Sequence, residues 1–183
     1  MYVRYFVLFA VALSTGCSSL PPLDFSIEKV GMVENRKDAE LVVLTVGIAP
    51  KSQQKKLETD HGFPPVFKEA LTDALARSLI FRDGSTKRVN LSVRLTEVDA
   101  PSAGIAMKTK ISAIYEITDR ENGDLLFAEE ISSEGVTPGN YAFVGMVRAR
   151  ESVNRAARNN IADFIAKLEL SDLSKPVFRG SSK

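Results

Sequence analysis

Cys17 and His61 are the single cysteine and the single histidine of the chain, and few other groupings of residues could carry chemistry. One histidine cannot build a two-histidine metal site, so zinc would need unusual carboxylate ligation. One cysteine leaves no disulfide within the chain. To serve as a general base, His61 needs a nucleophile and an orienting carboxylate within reach. Asp60 is its neighbour, but adjacent side chains in a loop rarely converge, so His61 reads as a surface histidine beside Gly62. Glu129 and Glu130 are also adjacent, and strand alternation sends them to opposite faces, which prevents paired acid and base work. With Glu134 they read as a solvated edge. Neither a G-x-G-x-x-G turn nor a G-x-x-x-x-G-K-[ST] loop occurs, so no nucleotide or other cofactor has a signature. The expectation is a protein that is not an enzyme.

Two groups remain as candidates for binding. Arg148 and Arg155, seven apart, lie near one face of a helix, and Arg150 and Arg158, eight apart, share another. Glu151, Asn154, Asn159 and Asn160 sit in the same turns. One reading is a solvated face with Glu151–Arg155 as an i, i+4 pair worth about 0.3–0.5 kcal/mol. The other is a surface for an anionic partner, which suits the planar fork of arginine. Tyr141 and Phe143, in the glycine-rich stretch before that helix, either staple its start onto the sheet or form an apolar patch that meets a partner or an acyl chain.

The beginning of the chain gives an address. Arg4 is followed by an apolar run over residues 5–13, then Ser14, Thr15, Gly16 and Cys17. A charged start, a short apolar centre and small residues before a cleavage point make a secretory signal. The run is shorter than the roughly 20 apolar residues that span a bilayer. With Gly16 before Cys17 and Ser18-Ser19 after it, this stretch resembles the lipobox of bacterial lipoproteins. The family prefers Leu three places before the cysteine, whereas Leu13 stands four before it. The resemblance implies a lipoprotein signal peptide over residues 1–16, acylation of Cys17, and a membrane link through that lipid. Ser18, where inner-membrane retention shows Asp, resembles outer-membrane sorting with the domain facing the periplasm.

Composition bounds the rest. Lys plus Arg number 24 and Asp plus Glu 23 in 183 residues, so the basic excess by which nucleic-acid binders neutralise phosphates is missing. About 165 residues remain after the signal, enough for one domain with its own core.

The elements that must position the candidate residues follow from periodicity. Residues 17–24 carry the anchor and a Leu-Pro-Pro-Leu-Asp spacer, stiff and extended. Residues 25–33 form a first strand with imperfect alternation. Residues 41–48 are β-branched and apolar on both faces, which predicts a buried strand ended by Pro50. Residues 51–60 read as a solvated loop. Pro64-Pro65 opens a helix, whose stripe is Phe67, Ala70, Leu71, Ala74 and Leu75. Strands over 89–95, 105–119 and 124–133 alternate, the last two joined at Asn122-Gly123, a strong hairpin signal. A long helix over 147–168 has the stripe Ala149, Val153, Ala157, Ile161, Phe164, Ile165 and Leu168. Residues 171–183 read as a loose tail after a single domain over 25–170. The order ββαβββα predicts an α+β, two-layer sandwich: a mainly antiparallel sheet of four to five strands with two helices on one face.

Through the run from Tyr115 to Phe127 and that from Gly145 to Phe164, the sequence is similar to small proteobacterial outer-membrane lipoproteins. In architecture it resembles the YajG-like lipoproteins and the lipopolysaccharide-assembly lipoprotein LptE. The resemblance implies a membrane-anchored accessory protein acting by protein contact in envelope assembly or transport. The alternatives are a lipid- or glycolipid-binding carrier or sensor, and an activator of a cell-wall synthase.

Overall fold

A computed structural model describes residues 20–57 and 62–178. Cys17 and His61 lie outside the described residues. The elements are β1 (Glu40–Ile48), α1 (Phe63–Ser78), β2 (Arg88–Asp99), β3 (Met107–Asp119), β4 (Leu125–Thr137) and α2 (Gly145–Leu170), with a single 3-10 turn at Lys51–Gln53. The four strands form one sheet in the order β1-β2-β3-β4. β2, β3 and β4 are antiparallel neighbours, and β1 runs parallel to β2. A parallel pair needs a crossover connection, and α1 lies within it.

Alternation divides the sheet into two unlike faces. Val89, Leu91, Val93 and Leu95 of β2 share a face with Ala113, Tyr115 and Ile117 of β3 and with Phe127 and Ile131 of β4. This face forms one core cluster with Phe67, Leu71 and Ala74 of α1 and with Ala157, Ile161, Phe164 and Leu168 of α2. The opposite face carries charge. Arg94 grips Glu116 through two bonds of 2.6 and 2.7 Å, and Lys110 reaches Glu97 at 2.9 Å. Lys55 and Thr96 both meet Glu130 Oε1, at 2.7 and 2.8 Å. The two-layer α+β sandwich is therefore present, with one layer of strands and one of helices.

The structure differs from the sequence-based expectation at four places. Residues 25–33 are not a strand. Phe25 is buried on its own, its ring 4.8 Å from Phe63 and 6.1 Å from Phe67. The backbone beyond it is satisfied by single contacts, such as Val33 N–H to the Ser78 carbonyl and Glu34 N–H to Glu169 Oε1. Second, β1 is an edge strand and not a buried one; Val43 and Ile48 are each about 40% exposed. Third, the hairpin at Asn122-Gly123 places Gly123 alone at positive φ (+76°), while Asn122 accepts a bond from Asp124 N–H at 2.9 Å. Fourth, the tail is docked through residue 178: Leu173 is buried, Lys87 holds its carbonyl at 3.0 Å, and Phe178 bridges to Leu125 at the β4 edge.

Candidate functional site

α2 begins without a capping side chain: Val144 stands at its N-cap, and its first turn holds no acidic residue. Around this end three segments meet. They are the β2–β3 connection at residues 100–106, the β4–α2 connection at 138–144, and the N-terminal segment from Leu20. Between them lies a cleft of about 910 Å³, floored by Leu20, Leu23, Phe63, Val98, Met107 and Val153. Its surroundings keep large apolar side chains in water: Phe143 is fully exposed, Ile105 85%, Met146 62% and Val144 50%. Monomeric surfaces rarely group so many apolar residues without a use.

The N-terminal segment is fastened to the domain beside this cleft. Phe25 is its apolar plug. Asp24 N–H donates to Asn154 Oδ1 of α2 at 3.2 Å, and Ser26 N–H donates to Asp24 Oδ1 at 3.0 Å. Hydrogen bonds from Ser26 hold the Asp24 carboxyl below its ordinary value.

The four arginines of α2 have separate roles. Arg155 Nε donates to Glu151 Oε1 at 2.8 Å, its Nη1 to the Val136 carbonyl at 2.9 Å, and its guanidinium lies 5.3 Å from the Tyr141 ring centroid. The expected i, i+4 pair is therefore present, and Tyr141 is used to cover Arg155. Arg158 also meets Glu151, at 3.3 Å. Arg148 ties the two connections together: Nη1 donates to the carbonyls of Ala142 (2.6 Å) and Phe143 (3.0 Å), and Nη2 to that of Gly104 (3.2 Å). Arg150, on the cleft wall, has no hydrogen bond or ion pair among the described residues. Phe143 does not staple the helix; its side chain stands in solvent.

Glu129 and Glu130 point to opposite faces as alternation requires, Glu129 to Lys167 at 2.5 Å and Glu130 to Lys55. Among the described residues no three His, Cys, Asp or Glu side chains gather where a metal ion could be held. No described helix is long and apolar enough to cross a membrane.

Sequence reasoning named Arg150 and Phe143 but missed the cleft between them. Leu20, Leu23 and Phe63 come from parts of the chain far from α2, and no local pattern links them. The nearest signal was the string of small residues Ala100, Ser102, Ala103 and Gly104, which leaves room where bulky side chains would fill it.

What the fold defines is an α+β sandwich with an apolar cleft at one end, rimmed by arginine. It is similar to a Xanthomonas campestris protein of the DUF330 family, at 10% identity over 78% of this chain and 91% of that one, with a TM-score of 0.50. Looser likenesses are a candidate lipoprotein from Caulobacter crescentus (16% identity, 73% and 88% covered, TM-score 0.45) and a minor lipoprotein from Acinetobacter baumannii (12%, 72% and 94%, 0.42). At such identities the likeness is one of fold. No protein-family model matches the chain, and no curated protein matches its sequence.

Proposed function

We propose that the chain is a lipoprotein anchored through Cys17 in the outer membrane, facing the periplasm, and that it acts by contact in envelope assembly or transport. One observation carries this reading: the exposed apolar end of the domain lies where the chain leads back toward Cys17. Three residues span at most about 11 Å, so Cys17 stays that close to Leu20, and Leu20 lines the cleft. An acylated Cys17 would set Ile105, Phe143, Val144 and Met146 against or near the bilayer surface. Attachment by several acyl chains would hold it there, since each buried methylene contributes about 0.8 kcal/mol.

Intact mass of the protein made in its own envelope tests the anchor. The expected result is a chain beginning at Cys17 plus acyl mass, with the acyl mass absent from Cys17→Ser. A chain cleaved elsewhere and carrying no lipid overturns the reading. A second reading, lipid binding by the domain itself, is favoured by the apolar floor of the cleft.

A further inference from the structure

The cleft combines an apolar lining with positive charge that pairs with no carboxylate among the described residues. Arg148 is held by three carbonyl oxygens and meets no carboxylate among the described residues, and its Nε–H is buried without a partner. Arg150 lines the same cleft with no partner at all among them. Both sit in the first two turns of a helix that has no cap and no acidic residue in its first turn, so the helix dipole adds to the positive potential. A partly buried cation without a counter-charge is costly.

An inorganic anion would answer the charges but leave Leu20, Val144 and Met146 of the cleft facing water. A neutral acyl chain would cover those residues and leave the guanidiniums unanswered. A molecule with an anionic head and an apolar tail satisfies both, and about 910 Å³ is within the size range of small-molecule sites. We infer that this cleft binds one anionic phospholipid, with an acyl chain against Val144, Met146 and Val153 and the phosphate at Arg150 and Arg148. Its source is the bilayer at which the Cys17 anchor would hold it, so the inference rests on the anchored reading for supply but not for chemistry.

The test uses the mature protein purified from its own envelope, exposed to vesicles of phosphatidylethanolamine and phosphatidylglycerol, separated from them and weighed by native mass spectrometry. Covalent acyl mass reports the anchor, and a non-covalent adduct reports the cleft, so the two readings fail separately. The expected adduct is one phosphatidylglycerol per chain, preferred over phosphatidylethanolamine. Arg150→Gln should weaken it about tenfold without lowering the melting temperature. Val153→Trp should fill the floor and abolish it. Met146→Glu, at an exposed position that the fold tolerates, should weaken the adduct even if the Trp variant does not fold. A folded protein that leaves the vesicles without an adduct overturns the inference, which is also the result if the protein's own acyl chains or a polypeptide fill the cleft. An adduct equally strong in Arg150→Gln and Met146→Glu overturns it as well.

Discussion

Tyr115 Oη donates to Asn160 Oδ1 at 2.7 Å in the centre of the core, joining β3 to α2 through two side chains that have no exposure to water. Asn160 Nδ2 in turn donates to the Ile131 carbonyl of β4 at 2.9 Å. The tyrosine ring is stacked on Phe164, with centroids 4.1 Å apart. With the Thr109–Ser152 hydroxyl pair nearer the helix start, this polar pair sets how α2 is turned toward the sheet, and so where Arg148 and Arg150 stand.

Removing half of this pair should cost more than the bond itself is worth. Tyr115→Phe leaves Asn160 Oδ1 buried without a donor, a loss of about 1–3 kcal/mol. Asn160→Leu leaves the tyrosine hydroxyl buried without its acceptor. Combining the two should cost less than the sum of the singles, read from urea midpoints; strict additivity would refute the coupling. Burial, with Asp163 adding to it, pushes the Tyr115 hydroxyl well above its ordinary value of 10. The folded state therefore keeps a proton that the unfolded chain releases. The stability from this group is complete below about pH 10 and falls as pH rises beyond it. In Tyr115→Phe that part of the alkaline loss should disappear.

Gly135 of β4 is where α2 comes closest to the sheet. A Cβ there would collide with the backbone nitrogen of Ala156 and the carbonyl oxygen of Ser152, beside the buried Thr109–Ser152 hydroxyl pair at 2.7 Å. Backbone cannot swing aside as a side-chain tip can, so Gly135→Ala should destabilise at the upper end of the about 1–3 kcal/mol typical of overpacking. Gly47 in β1 is the control. A Cβ there meets nothing within 4 Å, and Gly47→Ala should stabilise by about 0.5–1 kcal/mol. Melting temperatures moving in the same direction for both variants would contradict this.

The elements that bury one regular stripe were legible in the sequence. Phe67, Ala70, Leu71, Ala74 and Leu75 of α1 lie in the core as their spacing requires, and β2 and β3 alternate as read. β1 was misread because apolar residues on both faces do not distinguish a central strand from an edge strand whose outer face remains open. Residues 25–33 were misread because one deeply buried phenylalanine holds the segment without a ladder. α2 has a row at every fourth position, Ser152, Ala156, Asn160, Phe164 and Leu168, all buried. An apolar count passes over Ser152 and Asn160. Only the partners Thr109 and Tyr115, supplied by β3, explain why polar side chains belong there.

The charged face of the sheet should govern acid stability. The hydrogen bond from Arg94 lowers the Glu116 carboxyl, and hydrogen bonds from Lys55 and Thr96 lower Glu130. Burial pushes Glu97 up, but Lys110 and Ser112 together bring it below its ordinary 4.5. Folded-state values below those of the unfolded chain mean that the stabilisation is complete above about pH 4.5. It is lost as pH falls through the lowered values. Urea midpoints should be flat near neutrality and decline below pH 4.5. Arg94→Met should cost on the order of 1 kcal/mol at pH 7 and make that decline shallower, because Glu116 no longer contributes. A decline of unchanged steepness would remove Glu116 from the account.

Phe25 decides how closely the domain follows its N-terminal segment. Its ring is 1% exposed and lies against Phe63 and Phe67, while Asp24 and Ser26 on either side are polar and partly or fully exposed. Phe25→Ala should lose about 3–5 kcal/mol if the pocket stays open, and less if Phe63 relaxes into it. The larger effect is local. Without the plug, the single bond from Asp24 N–H to Asn154 cannot hold residues 20–24 against α2, and Leu20 and Leu23 leave the cleft floor. Limited proteolysis should then cut before residue 30 far faster than in the parent protein, at temperatures where β2, β3 and α2 remain folded. Phe25→Leu, which keeps most of the buried surface, should restore protection. If Phe25→Ala were cut no faster than the parent, the segment would be held by something other than this ring.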